Sequence, residues 1–148
     1  MLTVHFTSPR PIGRPRYVWL GVAIELLTAV MAVPVGLSLI LEPTGKGIGL
    51  PYDWIEASLF GSYFVPGLYL LVMNGLGMIV AAGLTAMGHW LAPWLQGLLS
   101  VGLIVWILVQ LAIMPEVMWL QWVFLGAGVA LGFINLFWMR RTAQLRLW

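Results

Sequence analysis

The chain has 148 residues, of which 61% are hydrophobic and only 8% charged, with a formal net charge of +2. A water-soluble domain carries roughly 25% charged residues, so this chain lacks the charge to cover a water-facing surface and its main solvent is lipid. The absence of cysteine excludes disulfides, thiolate metal sites and thiol nucleophiles.

Residues 1–16 read as a short arm in which Pro9, Pro11 and Pro15 keep a helix from starting early. Its arginines, Arg10, Arg14 and Arg16, draw it toward lipid headgroups. The first apolar span covers residues 17–41. It is longer than the roughly 7–15-residue core of a signal peptide and contains Glu25, so it reads as a retained helix. Further spans follow at about residues 64–87, 94–113 and 117–139. Each has the roughly twenty apolar residues needed to cross a hydrocarbon core of about 30 Å. Without water, each must satisfy its own backbone as a helix. The expected fold is all-α: one membrane domain over residues 1–148, a bundle of four transmembrane helices.

Between the first two spans lies LEPTGKGIGLP, residues 41–51. It resembles a phosphate loop only superficially. A Walker loop needs GxxxxGK[ST] between a strand and a helix, whereas here Lys46 is followed by Gly47 and a membrane helix precedes. Pro43 ends the helix by pushing Glu42 out of the helical region, and the glycines supply a reversal. Residues 52–60 then read as a short amphipathic interfacial helix, with Trp54, Ile55 and Leu59 toward lipid or the bundle. The loop becomes a small cap over the helices, where a partner or a gate is expected. The later connections, GHWLAP and MPE, are so short that the helices they join must be antiparallel neighbours.

Arg10, Arg14 and Arg16 precede the first span, and Arg140, Arg141 and Arg146 follow the last. The first loop holds Lys46 against Glu42, Asp53 and Glu56, and the last connection holds Glu116. By the positive-inside rule both termini are cytoplasmic in a bacterial inner membrane, and an even helix count agrees in putting both on one side. Tyr17, Trp19, Trp90, Trp94 and Trp138 form an inner aromatic belt. Tyr52, Trp54, Tyr63, Trp119 and Trp122 form an outer one.

Each span carries a stripe of small and polar residues on one face: Gly21, Glu25, Thr28, Ala32 and Gly36; Gly67, Asn74, Gly77, Ala81 and Thr85; Gln96, Ser100, Trp106 and Gln110; and Gln121, Gly128, Gly132 and Asn135. Gly128 and Gly132 have the GxxxG spacing that lets helix backbones approach. Counting 1.5 Å per residue puts Glu25 roughly 12 Å in from one face, and Asn74 roughly 15 Å in from the other. Ser100 and Asn135 fall near the same level, giving an expected inner polar site of Glu25, Thr28, Asn74, Ser100 and Asn135. Gln110 and Gln121 flank the Pro115–Glu116 turn and should hydrogen-bond or line a shared space near the outer end.

Glu25 carries the sharpest signal, because an intramembrane carboxylate costs several kcal/mol unless paired or neutralised. No lysine or arginine lies within any span, so desolvation favours the neutral acid. Two readings remain: a proton site, or a protonated side chain bonded to Asn74, Thr28 or a backbone carbonyl. His5 and His89 are the only histidines and read as interfacial residues rather than ligands. No catalytic set, metal motif or basic run is present, so no enzymatic activity, cofactor, metal, nucleotide or nucleic-acid partner is expected.

The segment YVWLGVAIELLTAV resembles the first helix of the small multidrug resistance transporters, and GVALGFINLF resembles their last. That likeness implies a dimer with Glu25 as a shared proton and cation site. LILEPTGKGIGLP, SLFGSYFVPGLYLL and IVWILVQ together resemble a group of small bacterial four-helix membrane proteins, loosely like DoxX-type proteins in architecture, which implies fold and location only. The functions to be weighed are an accessory membrane protein, packing with itself as a homo-oligomer or with a larger membrane complex, and a proton-coupled carrier of a small or lipophilic solute centred on Glu25. Reporter fusions check the topology: C-terminal green fluorescent protein should fluoresce, and alkaline phosphatase inserted after Lys46 should be active.

Overall fold

The computed structural model describes residues 12–145, with side chains as far as residue 143. His5, Pro9, Pro11, Arg10 and Arg146 lie outside the described residues. The elements are α1 (Val18–Leu41), a four-residue α2 (Asp53–Glu56), α3 (Phe64–Met87), α4 (Ala92–Ile113) and α5 (Trp119–Leu145), with no strand among the described residues. Four of the helices, α1, α3, α4 and α5, are long and apolar enough to cross a membrane. The protein is therefore an all-α, multi-pass membrane bundle.

The long helices run alternately up and down in a ring. α1 packs on α3 and α5, and α4 packs on the same two. One end of the bundle, the terminal end, carries the start of α1, the end of α5 and the turn at residues 88–91. The other, the loop end, carries the first loop and the turn at residues 114–118. Large apolar side chains such as Leu27, Val30, Val72, Leu98 and Phe133 point outward from the bundle, as expected where lipid is the solvent.

Glycine sets how closely α1 and α3 approach. A Cβ on Gly67 would sit 2.7 Å from Leu39 Cβ and 3.0 Å from the Gly36 carbonyl oxygen. One on Gly36 would meet the Leu71 backbone nitrogen at 2.8 Å. The two backbones touch there, and neither can retreat. Gly128 and Gly132 do the same between α5 and α4, where their Cβ atoms would meet Ile104 at 2.9 Å and Ser100 Oγ at 3.0 Å.

Residues 70–77 of α3 form a π-helical stretch. This widened turn was not foreseen, and Asn74 and Gly75 lie within it. α1 continues through Pro34, and the Ser38 hydroxyl donates to the Pro34 carbonyl at 2.9 Å.

The expected interfacial helix over residues 52–60 is shorter than its pattern suggested. It stops at Glu56, because Ser58 folds back to donate its hydroxyl to the Ile55 carbonyl at 2.7 Å and accepts the Phe60 N–H at 3.2 Å. Such local side-chain bonds compete with helix continuation. Leu59 consequently projects away from the bundle, fully exposed, while Ile55 packs with Leu39 and Tyr63. The preceding loop turns through left-handed Gly45 (φ 80°) and Gly49 (φ 72°). Its folded path is pinned by Tyr63, whose N–H donates to the Pro43 carbonyl at 2.9 Å and whose hydroxyl donates to the Pro51 carbonyl at 2.8 Å.

Two aromatics assigned to the belts are core residues instead. Tyr63 is buried in the loop-end cluster, and Trp138 is wholly buried against Val18 and Ala92. The described part of the arm is tied across the terminal end of the bundle: the Ile12 N–H donates to the Gly88 carbonyl, the Arg14 guanidinium donates to the Ala86 carbonyl, and Trp138 Nε1 donates to the Gly13 carbonyl at 3.0 Å. Arg14 and Trp138 thus take backbone carbonyls that no helix satisfies. Finally, α5 starts at Trp119 rather than 117 and runs on past 139, carrying Arg140 and Arg141 on its last turns.

Gly67→Ala should lower the unfolding free energy by about 1–3 kcal/mol, as overpacking does. Gly83→Ala, whose Cβ meets nothing within 4 Å, should leave it unchanged or higher. Thermal unfolding of both variants in one detergent checks the contrast.

Candidate functional site

The expected single polar layer is divided in two. Side chains on a helix lean toward its N-terminus. α1 starts at the terminal end and α3 at the loop end, so Glu25 and Asn74 lean apart rather than together. Glu25 instead meets Gln96 of α4, which leans the same way. Gln96 Nε2 donates to Glu25 Oε1 at 3.2 Å, and both side chains are fully buried. Gly21 makes room for this contact, since a Cβ there would come within 2.8 Å of Gln96 Nε2.

The remaining terminal-half residues are helix glue. Ser100 donates to the Gly128 carbonyl at 2.9 Å, and the Asn135 amide donates to the Pro93 carbonyl. Both ties join α4 to α5, and neither residue reaches Glu25. His89 stays in its turn, its Nδ1 accepting the Leu91 N–H at 3.2 Å.

Thr28 and Asn74 face the loop half. There the four long helices enclose a cavity of about 500 Å³. Its floor and walls include Thr28, Ala32, Asn74, Leu103 and Trp106, and its upper wall includes Gln110 and Gln121. The first loop roofs it with Ile48, Leu50, Trp54, Ile55 and Phe60, so the expected cap exists and is built mainly from apolar side chains. Met31, Pro34 and Val35 of α1, and Met118 before α5, line the cavity while remaining exposed on the bundle surface. The cavity therefore communicates with the lipid-facing side between α1 and α5. Glu25 and Gln96 are not among its lining residues.

Gln110 and Gln121 share this space, as one of the two expectations had it, but they do not bond to one another. Gln121 is committed elsewhere. Its Oε1 accepts the Met118 N–H at 3.0 Å, and its Nε2 donates to Met114 Sδ at 3.5 Å. Met118 precedes the first residue of α5, so Gln121 occupies the third helical position and reaches back to the cap, one half of a capping box.

Among the described residues, the buried polar side-chain atoms without a partner are Glu25 Oε2, Gln96 Oε1, both polar atoms of Asn74, Thr85 Oγ1 and Trp106 Nε1. Leaving such an atom unsatisfied costs about 1–3 kcal/mol. The first two belong to one hydrogen-bonded pair, Glu25 with Gln96, and a carboxylic acid facing a carboxamide can in general bond to it in both directions. Asn74 and Trp106 belong to the cavity. Trp106 stacks on Tyr69 at 4.7 Å between ring centroids, and the Tyr69 hydroxyl donates to the Gly102 carbonyl at 2.9 Å, which fixes the indole plane.

Gln96 and Trp106 were visible in the sequence as members of a stripe, but nothing in their spacing marked either as part of a site. No family model, curated protein or solved structure matches the chain. The likenesses to small multidrug resistance transporters and DoxX-type proteins thus stand on the quoted motifs alone.

Gln96→Leu should destabilise the bundle by about 1–3 kcal/mol, because Glu25 then loses its one partner. Glu25→Gln should be nearly neutral, since two amides can form the same paired bonds. Thermal unfolding of the purified variants in one detergent distinguishes these outcomes.

Proposed function

We propose that the protein is a bacterial inner-membrane protein that takes a small lipophilic solute into its loop-end cavity, with both termini in the cytoplasm and the roofed end outside. The observation that carries this reading is the cavity itself. The chamber of about 500 Å³ is reached from the lipid side past exposed lining residues, so apolar matter in the bilayer has access to it. Its volume lies in the range of small-molecule sites, and its lining is largely apolar with a few polar groups, as such sites usually are. The exposed lining residues of α1 give a route from the lipid, where a lipophilic solute concentrates.

The accessory role expected from the small-residue stripes has less support. Gly36, Gly67, Gly128 and Gly132 face neighbours within the same chain, so that packing capacity is spent inside the bundle. The proton-coupled version of a carrier needs solute and proton to meet. Glu25 lies outside the cavity lining and is tied to Gln96, so solute binding in this reading does not require its titration.

Full-length protein in detergent should bind the neutral fluorophore N-phenyl-1-naphthylamine saturably. Ala32→Phe projects a ring into the cavity and should weaken that binding at least tenfold while helical circular dichroism is kept. Non-saturable partitioning by the wild type, or unchanged affinity in the variant, would remove the reading.

A further inference from the structure

The cavity's polar inventory is specific about what occupies it. Asn74 is 1% exposed and Trp106 7% exposed, and both line the chamber. Neither the Asn74 carboxamide oxygen, nor its nitrogen, nor the indole nitrogen has a partner within the protein. Trp106 stacks on Tyr69, which lies on the loop side of Asn74 along α3. Because side chains lean toward the N-terminus of their helix, Asn74 leans toward the loop end and Trp106 toward the terminal end, each toward the other. The indole is already fixed by its stack on Tyr69, and Asn74 sits on the widened π-helical turn, a feature frequent at functional sites.

A lipid acyl chain or any pure hydrocarbon would fill the volume but leave every one of these groups unsatisfied, which is unfavourable for buried polar atoms. The groups offer the two N–H bonds of the carboxamide and one of the indole, against a single carboxamide acceptor. That set matches a head with a carbonyl oxygen, which can accept from Asn74 and Trp106 together, beside an N–H or O–H that donates to Asn74. Exchanging the oxygen and nitrogen of the Asn74 amide leaves the match unchanged. No acidic or basic side chain lines the cavity, and an ionised head would be buried without a counter-charge, which is strongly unfavourable. We propose that the cavity selects uncharged amphiphiles whose head pairs a carbonyl with a hydrogen-bond donor, as a primary amide does, with that head held between Asn74 and Trp106 and the apolar body under the loop roof. This rests on the solute-binding reading above and specifies its ligand class.

The test compares probes with one tail length on the full-length protein in detergent: radiolabelled decane, decanamide and decylammonium. Wild type should bind decanamide at least tenfold more tightly than decane, with decylammonium weaker than the amide. Asn74→Leu should abolish the preference for the amide while decane still binds, which also reports that the variant is folded. Trp106→Phe, which keeps an aromatic ring on Tyr69 and removes only the N–H donor, should reduce the preference in part. Equal affinity for decane and decanamide, a preference for decylammonium, or an amide preference that survives both substitutions overturns the head-group assignment and leaves solute binding standing. Failure of all the probes to bind overturns solute binding and the assignment with it.

Discussion

In hydrocarbon a polar atom has no water to turn to, so every donor and acceptor inside the bundle must be satisfied by the chain or stand as a cost. The helices meet this demand for the backbone, and several intramembrane side chains attach themselves to backbone carbonyls. Ser100 uses Gly128, Asn135 uses Pro93, Tyr69 uses Gly102 and Ser38 uses Pro34. At the terminal end Arg14 and Trp138 do likewise with Ala86 and Gly13. Against that background an unsatisfied group carries information. Asn74 and Trp106, both with orphaned polar atoms, line the chamber where the helices part, and the proposed solute is what would partner them.

The same constraint separates the two halves of the bundle. In the terminal half α1, α4 and α5 close around Gly21, Glu25, Gln96 and Ile134, and the arm is tied across the end beneath the wholly buried Trp138. In the loop half α1 and α3 are pinned to each other at Gly36 and Gly67, while Met31, Pro34 and Val35 on α1 face a space rather than a neighbour. The close glycine contact on one side of α1 and the chamber on another follow from one helix held tightly to a single partner. The roof then covers what the splayed helices leave open, and it is fixed in place by Tyr63 and by left-handed Gly45 and Gly49.

Much of this was legible before any coordinates. Hydropathy alone placed the four spans, because each must be long enough to cross the membrane and apolar enough to lie in it. Glu42–Pro43 marked the end of α1, and the glycines that follow were read as a reversal, which they form through left-handed Gly45 and Gly49. Spacing also put Gly128 and Gly132 on a packing face. What failed was pairing across the bundle. Counting rise along a helix locates a Cα, whereas a hydrogen bond forms at the end of a side chain that leans toward its helix's N-terminus. Over antiparallel helices these leans are opposite, so Glu25 and Asn74 were brought together on paper and are parted in space. Gln96 stood in the sequence only as a member of a stripe, yet its amide meets Glu25. The π-helical turn and the early stop of α2 had no sequence period to announce them: the first is a local widening of a helix, and the second depends on the Ser58 hydroxyl.

Glu25 illustrates how a strong sequence signal can be right about cost and silent about use. The burial penalty of a membrane carboxyl is real, and the structure meets it with one amide placed opposite, in a gap that glycine at position 21 keeps open. The Gln96–Glu25 hydrogen bond ties α1 to α4, the helices that face each other across the ring. In such a ring the two diagonals are the weakest directions. One buried bond spans a diagonal in the terminal half, outside the chamber lining. The carboxyl that drew attention as a candidate proton site is thus also a tie between helices, placed apart from the cavity.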